Sequence, residues 1–130
     1  MTTNLSPCHA HIYYTAEERP RAERLRDDFL DQAARGEADI LFVGQMTDRA
    51  VGPHPVPQYE VHFLERSWSD MIAAIEASGL RALVHRLTDD DVADHTKHAH
   101  WIGEPLKLDL SVLDPPGENK GIPRFGKSDF

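Results

Sequence analysis

The sequence predicts an α+β domain in which two helices cover one face of a four-stranded sheet. Two kinds of periodicity carry this reading. Short segments alternate apolar with polar residues or run apolar for a few positions, as strands do, and the longer segments between them repeat apolar residues at helical spacing. Their order along the chain, strand, helix, strand, strand, helix, strand, is the third observation.

Cys8 to Tyr14 reads as the first strand. Thr15-Ala-Glu-Glu18 has capping-box form, but Pro20 suits the first helical position, so the helix is expected to begin near Arg19. Ala22, Leu25, Phe29 and Ala33 form its apolar stripe, and Gly36 suits the residue just past its end. Ile40 to Gly44 is a short apolar run read as the second strand. A stiff loop with three prolines follows, Gly52-Pro53-His54-Pro55-Val56-Pro57. Gln58 to Leu64 alternates Tyr59, Val61 and Phe63 with Gln58, Glu60 and His62, a third strand with one apolar and one polar face. Ser67 with Asp70 suits the start of a second helix, Trp68, Met71, Ile72 and Ile75 its buried stripe, and Gly79 its end. Leu80 to Leu87 is the fourth strand. The order βαββαβ is the ferredoxin-like arrangement, which leaves the sheet face opposite the helices open.

Beyond this unit, Thr88 with Asp91 is expected to cap a third helix running to about Trp101, with Asp89-Asp90-Asp91 where the helix dipole favours negative charge. Leu106, Leu108, Leu110 and Val112 alternate with polar residues as an added edge strand would. Residues 1–113 are therefore read as a single domain. Residues 114–130, rich in Pro, Gly and charge, form a C-terminal tail, disordered or laid on a neighbour. The formal net charge of −8 argues against nucleic acid as a partner, because acidic residues outnumber the bases needed to neutralise phosphates. A single cysteine, Cys8, forms no internal disulfide and suits a reduced, cytoplasmic setting. No apolar run approaches a membrane span, and Met-Thr-Thr-Asn-Leu-Ser lacks the features of a secretion signal.

Eight histidines are more than a chain of 130 residues needs for packing. In a strand, alternate residues share a face about 6.6–6.8 Å apart, so His9 and His11 can converge on one cation. If Cys8, Ala10, Ile12 and Tyr14 pack under the helices, His9, His11 and Tyr13 occupy the open face, with Glu60 and His62 beside them. His85 joins them if Val84 faces the helices. Pairing two such faces across a dimer would enclose a polar cavity. Imidazole and carboxylate donors suit iron, zinc, copper or nickel rather than magnesium or calcium. His54, held between prolines, suits an acid or base above that cavity. His95 and His98 are expected on one helix face, Trp68 in the core, and Trp101 in the core or as a wall for a ring substrate.

His9-Ala-His-Ile-Tyr-Tyr14, Gly52-Pro-His-Pro55, Tyr59-Glu-Val61, Leu83-Val-His85, Asp94-His-Thr, Ala99-His-Trp-Ile-Gly103 and Leu108-Asp-Leu-Ser111 together resemble the DOPA 4,5-dioxygenase family across residues 9 to 113. His9, His11, His54, His85, His95 and His98 match the family pattern. The chain departs from it at His85-Arg-Leu-Thr88, where relatives usually have His-Pro-Asn-Thr, and at His62, where many have a small residue. The resemblance implies a dimeric αβ barrel and extradiol cleavage of a catechol with O2 and non-haem Fe(II), zinc or another divalent transition metal being the alternative. The site read onto it has His11 and His85 as ligands with His9 or Glu60, His54 or His62 as the base, and Tyr13, His95, His98 and Trp101 at the substrate. The implied partners are a small aromatic substrate, O2 and a second copy of the chain. Two other readings are a metal-independent enzyme on the same barrel and a non-catalytic module that binds an aromatic compound.

Overall fold

A computed structural model describes residues 6–37, 39–88 and 90–113. The proposed tail from Asp114 onward, the first five residues, and Asp89 of the acidic triplet lie outside the described residues. The first six elements follow the predicted order: β1 (Pro7–Tyr13), α1 (Arg19–Ala34), β2 (Ile40–Val43), β3 (Gln58–Leu64), α2 (Trp68–Ser78) and β4 (Arg81–Arg86). Two short elements follow, α3 (Asp91–Asp94) and β5 (His100–Ile102). The sheet runs β2-β3-β1-β4-β5 with every neighbouring pair antiparallel, which places β1 at its centre.

Cys8, Ala10 and Ile12 of β1, Tyr59, Val61 and Phe63 of β3, and Ala82 and Val84 of β4 form one core with Ala22, Leu25 and Phe29 of α1 and Met71 and Ile75 of α2. The Tyr59 hydroxyl, buried among them, donates to the Ala22 carbonyl at 3.2 Å. The capping box forms on the turn before α1: Thr15 N–H donates to Glu18 Oε1 at 3.0 Å, and Glu18 N–H to Thr15 Oγ1 at 3.2 Å. Pro20 then sits in the first turn, and the bonds Gly36 N to Ala33 O and Glu37 N to Gln32 O close the helix as a Schellman motif. Ser67 precedes α2 but does not cap it. Its hydroxyl donates instead to Asp39, which also holds Arg66.

Three expectations are corrected. The third helix is a single turn, capped by the Asp90 side chain accepting from Ala93 N–H at 3.0 Å. Thr88 instead bonds the buried Asp94 carboxylate through both its N–H and its hydroxyl, and no apolar stripe beyond Ala93 gives a longer helix anything to bury. The edge position next to β4 is taken by His100–Ile102, not by residues 106–112. Those residues form no strand: Asp109 N–H donates to Pro53 O at 2.9 Å, and Leu110–Val112 is a 3-10 turn capped by Asp109.

The third correction concerns the face opposite the helices, which is covered by the chain itself. Thr47 and Gln58 bridge through paired backbone bonds, Tyr14 N–H donates to Pro57 O, and Val51 and His54 close a tight turn with Gly52 at φ +54°. These contacts fold residues 45–57 back over the sheet, so that Tyr13 is only 2% exposed. No partner is required to bury it.

Gly44 marks where β2 presses on β3. A Cβ there would lie 3.2 Å from both the Glu60 Cγ and the Glu60 carbonyl oxygen and 3.4 Å from the Phe42 ring. Gly44→Ala should therefore overpack this edge and destabilise the protein by about 1–3 kcal/mol, read as a lower urea midpoint. An unchanged midpoint would show that β2 and β3 are not held this closely.

Candidate metal centre on the covered sheet face

Strand pairing sets the rows of the site. His9 on the central strand lies opposite His62 on one side and His85 on the other; His11 lies opposite Glu60 and Leu83; Tyr13 lies opposite Gln58 and Arg81. Directly opposed side chains stand about 5 Å apart, so three strands deliver their polar residues to one patch. Val84 packs toward the helices, and His85 accordingly faces the histidines. All of His9, His11, Gln58, Glu60, His62 and His85 are at most 3% exposed. From above the sheet, His54 brings its ring to 4.2 Å from that of His11, and His95 brings its own to 4.6 Å from that of His85.

His11 Nε2 and His85 Nε2 approach one another directly, 3.2 Å apart. Each ring has its other nitrogen engaged. His85 Nδ1–H donates to the Arg86 carbonyl at 2.7 Å, and His11 Nδ1–H donates to Gln58 Oε1 at 3.2 Å. Both neutral rings therefore turn a lone pair toward the other, which is repulsive without a proton or a cation between them. Two nitrogens on one ion with bonds of about 2.0–2.1 Å lie roughly 3.0–3.4 Å apart, so the observed spacing is that of metal ligands. Carbonyl and amide oxygens accepting from the outer nitrogens are the usual support of such ligands. Among the described residues, three sets bring donor atoms within 4.8 Å of one another: His9, His11 and His85; His11, His54 and His95; His9, Glu60 and His62.

Electrostatics favour the ligand form. Burial holds His11 well below the usual imidazole value, and the neighbouring histidines add to this. His85 is lowered in the same way, by burial first and then by His95. His54 is pushed down to about 3, by burial and then by His95. Burial raises the Tyr13 phenol, which stays protonated. Tyr13 Oη and His54 Nδ1 are 2.7 Å apart, a bond that runs in either direction: the phenol donates to Nδ1, or Nδ1–H donates to the phenol oxygen and leaves the lone pair on Nε2.

Most residues predicted from the sequence gather here. His9, His11, His85 and Glu60 share the patch, with His54 and His95 over it. His62 lies beyond His9, its ring stacked on that of His9 at 3.7 Å and 4°. Tyr13 and Trp101 form a stacked pair at 6.1 Å. His98 is not brought in. Because α3 ends at Asp94, His95 and His98 do not share a helix face; His98 is exposed and lines a groove with Trp68, Arg86, Thr88 and Asp94. His100 is also exposed, edge-on to the half-buried Trp68. The residue missed is Gln58, whose strand parity with Glu60 and His62 was the available signal.

Removing the Gln58 oxygen should release the His11 ring. Gln58→Ala is expected to weaken metal affinity about 10–100-fold, and Gln58→Glu, which keeps an acceptor, to retain most of it, as read by chelator competition. Equal affinity in all three proteins would remove Gln58 from the site. A second expectation concerns acid. Unfolded imidazoles take up protons below about pH 6.5, whereas His54, His11 and His85 in the fold resist them to lower pH. The unfolded chain then binds more protons. Stability of the metal-free protein should be full above about pH 6.5 and decline toward pH 3, so urea midpoints that stay flat from about pH 7 to 4 would contradict this assignment.

Comparison with known proteins gives concordant findings. The chain is 34% identical over 113 residues to an uncharacterized 21.2 kDa protein of Botryotinia fuckeliana, covering 79% of this chain and 61% of that protein. It is 28% identical over 118 residues to the DOPA 4,5-dioxygenase of Amanita muscaria, covering 87% of this chain and 52% of that protein. The chain thus spans about half to three fifths of the length of these curated relatives. Among solved structures, a protein of Nostoc punctiforme described as a "putative dioxygenase" superposes with a TM-score of 0.72 at 32% identity, over 86% of this chain and 94% of that one. The family model for the Dopa 4,5-dioxygenase family matches residues 8–112, and the chain belongs to that family.

Proposed function

We propose that this chain is the subunit of an extradiol dioxygenase that opens the ring of a catechol, L-DOPA-like or caffeate-like, using O2 and Fe(II) held by His9, His11 and His85. The observation that carries the reading is the 3.2 Å approach of two imidazole lone pairs, His11 Nε2 and His85 Nε2, whose outer nitrogens are already bonded. Ferrous iron bound there would supply adjacent open positions for the catecholate and O2. Zinc or another divalent transition ion fits the same donors.

The chain's own residues account for the proton. His54 Nε2 accepts it from a catechol hydroxyl while Nδ1–H stays bonded to the Tyr13 oxygen, and the phenol keeps its own proton. Burial lowers the proton affinity of His54, which favours returning the proton to the product, while taking it up relies on the acidity a bound metal would lend the catechol. His54 fits this role better than His62, which is stacked behind His9 and against Phe42. His95 flanks the open side of His85, and the Tyr13 and Trp101 rings offer a wall for the substrate ring. His54 also lines a surface groove of about 610 Å³ with Gly52, Pro53, Pro55, Lys107 and Leu108, which supports entry of substrate on that side.

The reading includes a ferredoxin-like subunit paired as a dimeric αβ barrel. Each chain already covers its own histidines, so the two sheets would face one another across those covering loops, with the second copy closing over the groove beside His54.

Anaerobic Fe(II) loading followed by O2 uptake with a panel of catechols tests the proposal. Catechol-dependent uptake with a ring-opened product is expected; no uptake by fully iron-loaded protein across the panel would overturn it. His11→Ala and His85→Ala should each lose metal. His54→Ala should keep metal and fold while turnover falls about 10²–10⁴-fold, the usual effect of losing a general acid or base. Equal loss of metal would make His54 a ligand instead.

A further inference from the structure

We propose that Arg81 selects the substrate by binding a carboxylate on the ring substituent of an ortho-dihydroxy aromatic acid. This deepens the proposed function and rests on it for the position of the catechol ring. Strand register puts the residue in place. On β4, Ala82 and Val84 pack into the core beneath the helices, so Arg81 shares the opposite face with Leu83 and His85. It lies directly across from Tyr13 on β1, in the row next to the one that pairs His11 with Leu83.

The surroundings hold its stem and leave its head group uncommitted. Trp101 of β5 pairs with Leu83, and Gly103, just past β5 at φ +80°, brings bare backbone against Arg81: a Cβ there would lie 3.4 Å from Arg81 Cγ and 3.7 Å from Arg81 Cβ. Arg81 is half-buried, and among the described residues its guanidinium forms no hydrogen bond or ion pair. The other half-buried arginines are engaged, Arg19 by Asp48 and Arg26 by the Gly44 carbonyl. The Arg81 charge is felt inside the site. Burial raises the Tyr13 phenol and Arg81 opposes that shift, so its field reaches the hydroxyl that bonds His54.

A carboxylate is the group this position fits. The chain carries a formal net charge of −8 and repels anions at long range, so an anionic substituent has to be met by a local cation. The planar guanidinium fork donates two parallel hydrogen bonds to a carboxylate, and partial removal from water strengthens the attraction. Two residues along β1, about 6.6–6.8 Å, separate the His11 row from the Tyr13 row. A catechol whose hydroxyls reach His54 and the His11–His85 pair, with its ring on the Tyr13–Trp101 wall, directs the substituent opposite its hydroxyls toward the Arg81 row. Lys107 also lies near His54, but it is exposed on the surface groove, where water screens its charge.

The test compares caffeate with its uncharged methyl ester. Zinc(II)-loaded protein gives dissociation constants by calorimetry, and iron(II)-loaded protein gives kcat and KM from O2 uptake, with circular dichroism to verify the fold. The wild-type protein is expected to bind the acid about 10–100-fold more tightly than the ester, the range of a hydrogen-bonded ion pair. Arg81→Gln should bind the two alike, with affinity for the ester unchanged, and Arg81→Lys, which keeps the charge, should retain part of the preference. A merely structural Arg81 would weaken acid and ester together, and that result overturns the proposal. So does a wild-type protein that does not prefer the acid, or a preference lost in Lys107→Gln and kept in Arg81→Gln. Preferential, Arg81-dependent binding without turnover by the iron-loaded protein keeps the assignment and overturns the catalytic reading. Turnover of acid and ester at equal kcat/KM does the reverse.

Discussion

Everything at the site depends on the alternation of side chains along the central strand. With β1 bonded on both edges, Cys8, Ala10 and Ile12 must go to the helices and His9, His11 and Tyr13 to the other face. A slip of one residue would bury imidazoles under α1 and expose the core set, so hydrophobic packing on one face also fixes the polar constellation on the other. The neighbouring strands obey the same parity. Tyr59, Val61 and Phe63 hold β3 in register for Gln58, Glu60 and His62, and Ala82 and Val84 hold β4 in register for His85.

Burial has a second consequence, for charge. Six histidines packed around one patch cannot all be protonated, and enclosure in the fold pushes His11, His54 and His85 toward the neutral form that binds metals. The cover that achieves this is local: the turn at Gly52–His54 and the residues around His95 fold back on the sheet. The segment after β5 is tied to that turn at Pro53, so the cover is braced from behind.

The framework of the fold was legible because its signals are local and strong. The stripe Ala22, Leu25, Phe29, the alternation of Gln58–Leu64 and the helix ends at Gly36 and Gly79 each report a backbone preference or a buried face. What was not legible depended on tertiary competition. The alternation at Leu106–Val112 has the form of a strand, but His100–Ile102 had already taken the edge of β4, and the later segment packed on the Pro53 turn instead. Thr88 is a good capping residue, yet the buried Asp94 carboxylate claimed it. At the site, the gathering of His9, His11, Glu60 and His85 followed from parity alone. The cover over the face did not, because loop residues carry no periodicity that says where they fold.

The two rings at the centre of the patch are secured by different means. His11 relies on a side chain, Gln58, which a single codon change can remove or retune. His85 relies on the carbonyl of Arg86, and every amino acid, proline included, supplies that carbonyl. A change of side chain at position 86 would therefore leave the tautomer of the ring beside it untouched. One ring of the pair is open to evolutionary adjustment of its surroundings, and the other is insulated from it by the backbone.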